Sequence, residues 1–144
     1  MYLIDTNVIS EVRKGRKADS GVRAFFNDRL RDSHPVYISA ITVGELRRGI
    51  EKIKHRNDKK QAHQLERWLK ALLEQYADHI LDFDQQAAQI WGRLRVPNYE
   101  NALDKQIAAT ALIHDLVVVT RNTEDFISCG VELYNPFYGK GSVE

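Results

Sequence analysis

The sequence predicts an α/β sandwich in which a mostly parallel central sheet is flanked by helices. Three observations point there. Tyr2-Leu-Ile, Val36-Tyr-Ile-Ser39 and Leu116-Val-Val-Val-Thr120 are apolar runs of strand length bounded by polar residues. Between them lie longer stretches whose apolar residues recur at helical spacing. The last run is β-branched after Leu116, the composition of a strand covered on both faces, and parallel neighbours need crossovers that helices supply.

Taken in order, Tyr2-Leu-Ile-Asp5 is a strand ending in an acid, and Val8, Ile9 and Val12 follow at helical spacing. Residues 14–21 are turn-rich, after which Val22, Phe25, Phe26 and Leu30 mark a second amphipathic helix. Val36–Ser39 reads as a strand. Either Ser39 or Thr42 can cap the next helix, which carries Val43, Leu46, Ile50 and Ile53 on one face. Polar residues 54–60 interrupt the pattern before Ala62, Leu65, Trp68, Leu69, Leu72, Leu73 and Tyr76 resume it, so a helical hairpin over about 42–77, or one kinked rod, is expected. Ile80-Leu-Asp-Phe83 is a brief strand, Asp84 a cap, and Ala87 to Leu94 a helix that stops before Pro97. Asp104 opens another helix through Leu112, and Val131–Tyr134 offers a last strand.

Composition narrows the function. The 144 residues, 43% hydrophobic and 28% charged, suit one domain spanning 1–144 that buries about 70% of its unfolded surface. Lys and Arg number 21 against 20 Asp and Glu, so no global field marks a polyanion binder and any nucleic-acid site must be local. A single cysteine, Cys129, excludes an internal disulfide framework. With no secretion signal and no apolar run of roughly 18 residues, the chain reads as cytoplasmic and without membrane contact.

In an open parallel sheet the ligand crevice lies beyond the carboxyl ends of the strands. Four segments bring polar groups to that edge: Asp5-Thr6-Asn7, Glu45 in the first turn of its helix, Asp104 at a helix start, and Thr120-Arg121-Asn122. Two carboxylates about 4 Å apart repel by roughly 4 kcal/mol at an effective dielectric near 20, a cost that a cation relieves. An all-oxygen cluster without Cys or His at ligand spacing favours Mg²⁺, with Mn²⁺ as substitute, over zinc. Mg²⁺ chemistry of this kind is phosphoryl chemistry. Each acid also has a purely structural explanation: Asp104 as a helix cap, Glu45 as a first-turn acid facing the helix dipole, Asp5 as a turn former.

Asp5-Thr-Asn-Val-Ile-Ser-Glu11, Ser39-Ala-Ile-Thr-Val-Gly-Glu45-Leu, Asp104-Lys-Gln-Ile-Ala-Ala-Thr110-Ala and Thr120-Arg-Asn122 with Asp125-Phe126 together resemble the PIN-domain endoribonucleases. The likeness is to VapC-type toxins and their FitB-like branch. It runs from residue 1 to about 137 in family order, including Asn135-Pro-Phe137, and the set is far more specific than any one segment.

The resemblance implies a PIN-like sandwich and hydrolysis of single-stranded RNA by metal-activated water. It implies Asp5, Glu45 and Asp104 as the acidic core, Asp5 and Asp104 as the metal's direct ligands, Thr120 as a nearby hydroxyl, and Thr6 and Asn7 as braces of the first turn. Many members carry a fourth acid where this chain has Asn122, and an amide cannot neutralise charge, which weakens the case for a second Mg²⁺. Asp125 is the residue that could compensate, or simply cap the turn before Phe126. The resemblance further implies a homodimer and a small VapB- or FitA-like antitoxin. The antitoxin's C-terminal segment would cover the acidic groove while its N-terminal part binds operator DNA.

The basic residues divide into two groups. Arg47, Arg48, Lys52, Lys54, Arg56, Lys59 and Lys60 against Glu51 and Asp58 give segment 47–60 a net +5, with −4 for the rest of the chain. Either RNA guidance or a solvated helix face accounts for that. Arg13, Lys14, Arg16 and Lys17 lie closer to the acidic mouth and are the preferred phosphate contacts, with Arg121, Thr6 and Asn7 completing the expected substrate-binding set. His34, His55, His63, His79 and His114 read as isolated surface residues, and Trp68 and Trp91 as packing residues.

Other readings fit less well. A haloacid-dehalogenase-like phosphatase needs an acid at Asn7, and a receiver domain needs an acceptor Asp where Ser39 stands and a Lys where Arg121 stands. A PIN fold kept as a binding or regulatory module after weakening of its chemistry remains the alternative, and Asn122 is what favours it.

Overall fold

The computed structural model describes residues 1–138. Residues 139–144 of the expected domain lie outside the described residues. Five strands, β1 (Tyr2–Ile4), β2 (Val36–Ser39), β3 (Ile80–Leu81), β4 (Val117–Val119) and β5 (Leu133–Tyr134), form one sheet in the order β3-β2-β1-β4-β5. All four pairings are parallel. The chain builds outward from β1 on one side through β2 and β3, then crosses to the other side for β4 and β5. The strand order therefore reverses between β1 and β4, the place where an open parallel sheet forms its crevice, at the strands' carboxyl ends.

Strand alternation sends successive side chains to opposite faces, and the sheet accordingly carries two cores. Ile4, Ile38 and Val119 pack on one face with Val8, Phe25, Leu46 and Leu69. These come from α1 (Thr6–Val12), α2 (Ser20–Asp32), α3 (Ala40–His55) and α4 (Lys59–Gln75). Leu3 and Val118 pack on the other face with Ile107, Ala108, Ala111 and Phe126. That layer is built by α6 (Ala102–His114) and the 3-10 segment Thr123–Cys129, with α5 (Gln85–Leu94) packed against α6. The expected α/β sandwich is the observed one.

Helix starts follow the capping residues. Asp5, Asp19, Ser39, Asp58 and Asp84 each accept a backbone N–H from the helix that follows. Ser39, not Thr42, caps α3, so Glu45 is the sixth residue of that helix and lies in its second turn, a correction to the first-turn expectation. Asp104 does not open its helix either: Asn101 holds the cap position of α6 in a left-handed conformation, and Asp104 is the third helical residue. The helical hairpin forms as α3 and α4. Arg47 bridges it, with its guanidinium nitrogens 2.6 and 3.1 Å from the two Glu66 carboxylate oxygens.

Helical spacing overstates the core at three positions: Leu30 is 82% exposed, Leu112 37% and Val12 36%. Among the described residues no helix is long and apolar enough to cross a membrane.

Candidate functional site

The end of β1 delivers Asp5 into the crevice with its carboxylate almost wholly enclosed, 3% exposed. Its backbone N–H donates to the Val119 carbonyl at 2.9 Å, which fixes it beside the end of β4. One carboxylate oxygen accepts the Thr6 N–H at 2.8 Å. The other accepts the Thr120 hydroxyl at 2.8 Å and the Asn7 amide at 3.3 Å. Asn7 in turn accepts the Arg121 N–H at 3.1 Å, and Thr120 Oγ1 accepts the Asn122 N–H at 3.0 Å. Thr6, Asn7 and Thr120 thus brace Asp5 from both strand ends, and they hold its charge in a partly dry place.

Glu45 reaches the same edge from α3. Its Oε1 accepts the Thr6 hydroxyl at 2.7 Å, and Thr6 Oγ1 lies 3.3 Å from the hydroxyl of Thr42. Thr42 is fully buried; sequence reasoning weighed it only as a helix cap, and no spacing signal assigned it to this network.

Asp104 completes the edge from α6. Burial pushes its carboxyl up to about 7, and the fields of Asp5, Asp125 and Glu45 push in the same direction. Asp5 is raised by burial too, against the opposing pull of its hydrogen bonds to Thr120, Thr6 and Asn7, with Glu45 adding to the rise. Four carboxylates from four elements therefore share one electrostatic field, Asp125 among them. The structural explanations offered for Glu45 and Asp104 do not hold, since one lies past the first helical turn and the other is not a cap. Asp5 does cap α1 through one oxygen, and its second oxygen is held by Thr120 and Asn7.

A divalent ion fits these residues in charge and donor type. Among the described residues no group of three or more His, Cys, Asp or Glu side chains forms a cage that could hold a metal ion. Mg²⁺ needs no cage: it takes one or two carboxylates and keeps waters for the rest. Buried acids whose protonation is raised by one another are the condition a hard cation relieves.

The surrounding cations are less uniform than the sequence suggests. Arg13 joins Thr6, Ser10 and Glu45 around a cleft of about 230 Å³ that runs between α1 and the α3–α4 hairpin towards Trp68. Lys14 is tied to Glu11 at 2.9 Å. Arg121 stacks over Phe137, 4.4 Å from the ring centroid, while its backbone rather than its side chain enters the Asp5 network. Asn122 is exposed, with its backbone on Thr120. In the basic segment, Arg47 and Lys54 are engaged by Glu51 and Glu66. All five histidines are exposed. Trp68 packs against the core, and Trp91 donates its indole N–H to the Ala102 carbonyl at 3.0 Å.

The family model described as the PIN domain matches residues 2–129. The chain is 37% identical to Toxin FitB of Neisseria gonorrhoeae across 96% of this chain and 99% of that protein. It is 32% identical to VapC ribonuclease Y4jK of Sinorhizobium fredii across 95% and 98%. Its fold superposes on a chain of FitAB bound to an IR36 DNA fragment with a TM-score of 0.80 at 36% identity, covering all of this chain and 98% of that one.

Proposed function

Because the chain belongs to the PIN-domain family, in its VapC-type branch, we propose that it is the toxin of a VapBC-type module and acts as a Mg²⁺-dependent endoribonuclease. What supports this reading is the field that Asp5, Asp125 and Glu45 exert on the part-buried Asp104, pushed up to about 7, with Asp5 at the end of the strand beside which the sheet order reverses.

In this reading Asp5 and Asp104 hold the ion directly and Glu45 stands beside it. Bound Mg²⁺ supplies a Lewis acid that lowers the pKa of water and screens charge developing on the phosphoryl oxygens. The chain's own residues do the rest. Thr120, Thr6 and Asn7 hold the Asp5 carboxylate in one orientation, so no reorganisation is needed at the moment of reaction. Glu45, fixed by Thr6, is placed to accept a proton from the attacking water. Arg13, Lys14 and Arg121 guide the RNA backbone to the crevice. Asn122 lends an amide acceptor or a water-holding group and no charge. Attack by water leaves a 5′-phosphate and a 3′-hydroxyl.

The partner in this proposal is an antitoxin of the VapB or FitA type, with operator DNA reached only through it. The relative FitAB is a complex bound to DNA, and this chain covers the matched chain nearly whole. The working unit is proposed to be a homodimer of single PIN domains, in the cytoplasm.

The test has two arms. Asp5→Asn and Asp104→Asn are expected to abolish Mg²⁺-dependent cleavage of single-stranded RNA while the metal-free protein holds or gains stability, because repulsion falls. Unfolding of both variants would mean that the acids are structural. Cleavage by purified Asp104→Asn at the wild-type rate would reject the ligand assignment.

A further inference from the structure

The loop from Arg95 to Asn101 joins the C-terminal end of α5 to the N-terminal end of α6, and so it leads directly into the helical turn that carries Asp104. It carries two large apolar side chains open to solvent, Val96 at 76% and Tyr99 at 70%, with Leu103, the second residue of α6, at 50%. Tyr99 lies five residues before Asp104, so the extended chain limits their Cα separation to about 18 Å.

The loop is nevertheless held from several sides. The Lys105 ammonium donates to the carbonyl of Asn98. Lys105 is only 4% exposed, and among the described residues no carboxylate forms a salt bridge with it. A buried lysine is costly, and here the charge is committed to pinning a loop carbonyl. Arg95 donates to the carbonyl of Tyr99 itself at 3.3 Å, with its guanidinium 4.7 Å from the centroid of the Trp91 ring. Trp91 is anchored to the start of α6 through Ala102. The backbone that carries Tyr99 is thus fixed while its ring is left open.

We propose that the loop 95–101, pinned by Lys105 and Arg95, is a preorganised ledge on which Tyr99 stacks a nucleobase of the RNA flanking the scissile phosphate. The inference rests on the ribonuclease reading above. A rigid aromatic loses little entropy on stacking, and every base presents a π-face to it. Within the loop Arg95 balances Glu100, and Arg93 in the last turn of α5 adds one positive charge beside it, which suits a polyanion over an acidic peptide. The ledge gives the acidic site, which sees only phosphates, a means of gripping one base beside the cut.

The test uses single-stranded RNA carrying one 2-aminopurine, moved through each position in turn, with the full chain in calcium so that binding is read without cleavage. Wild type is expected to quench the fluorophore at one position. Tyr99→Ala is expected to weaken binding about tenfold and abolish that quench, while Tyr99→Phe restores both. Lys105→Met, checked for an unchanged fold by circular dichroism, is expected to lose part of the quench and to speed amide exchange in residues 96–101. If Tyr99→Ala binds and quenches like wild type while wild type cleaves RNA in Mg²⁺, the ledge is wrong and the ribonuclease reading stands. If wild type neither binds nor cleaves RNA, both fall. If Tyr99→Ala weakens only the purified antitoxin complex, the patch is a protein-docking surface and the inference is overturned.

Discussion

In the metal-free chain the Asp104 carboxyl is pushed from the ordinary 3.8 to about 7, first by burial and then by Asp5, Asp125 and Glu45. Between those two values the folded chain keeps a proton that the unfolded chain has lost. Stability therefore falls as pH rises through that window: this contribution is fully present below 3.8 and is gone once pH passes about 7. Asp5, raised by burial, acts in the same direction. Urea denaturation in a chelator across this range is expected to show that decline, and Asp104→Asn to flatten it. Added Mg²⁺ is expected to raise the unfolding midpoint more at alkaline than at acid pH, because the ion competes with the proton for the same oxygens.

At the scale of elements, the site depends on where helices begin. Ser39 is buried and its hydroxyl accepts the Ile41 N–H at 3.0 Å, which sets the start of α3 and hence the turn from which Glu45 reaches Thr6. Ser39→Ala is expected to cost about 1 kcal/mol, read as a lower denaturation midpoint. Leu30, by contrast, caps nothing and packs against little. Leu30→Ser is expected to stay within about 0.5 kcal/mol of the parent in the same measurement, although its helical spacing marks it as core. The pattern identifies a face; whether the neighbouring chain extends far enough to cover the last turn is a property of the neighbours.

The whole molecule is a thin sheet between two small cores, and its strands run only two to four residues. Phe126, fully buried in the 3-10 segment and next to Asp125 in sequence, joins that segment to the second core. Phe126→Ala is expected to cost about 3–5 kcal/mol, a large share of the 5–15 kcal/mol typical of a domain, and thermal unfolding measures it.

What the sequence by itself determined were the strand and helix order, the Asp84 cap and the motif acids Asp5, Glu45 and Asp104, because periodicity, capping chemistry and the four motif segments are local and survive in one dimension. Only the tertiary structure decided that Glu45 sits one turn deeper than its neighbours suggest, that Asp104 is no cap, and that Asp125 shares the field of the other acids. The same holds for the burial of Lys105, only 4% exposed, which no local pattern marks. Each of these depends on which distant segments approach, and a residue's burial and the charges around it are set by chain that lies far away in sequence.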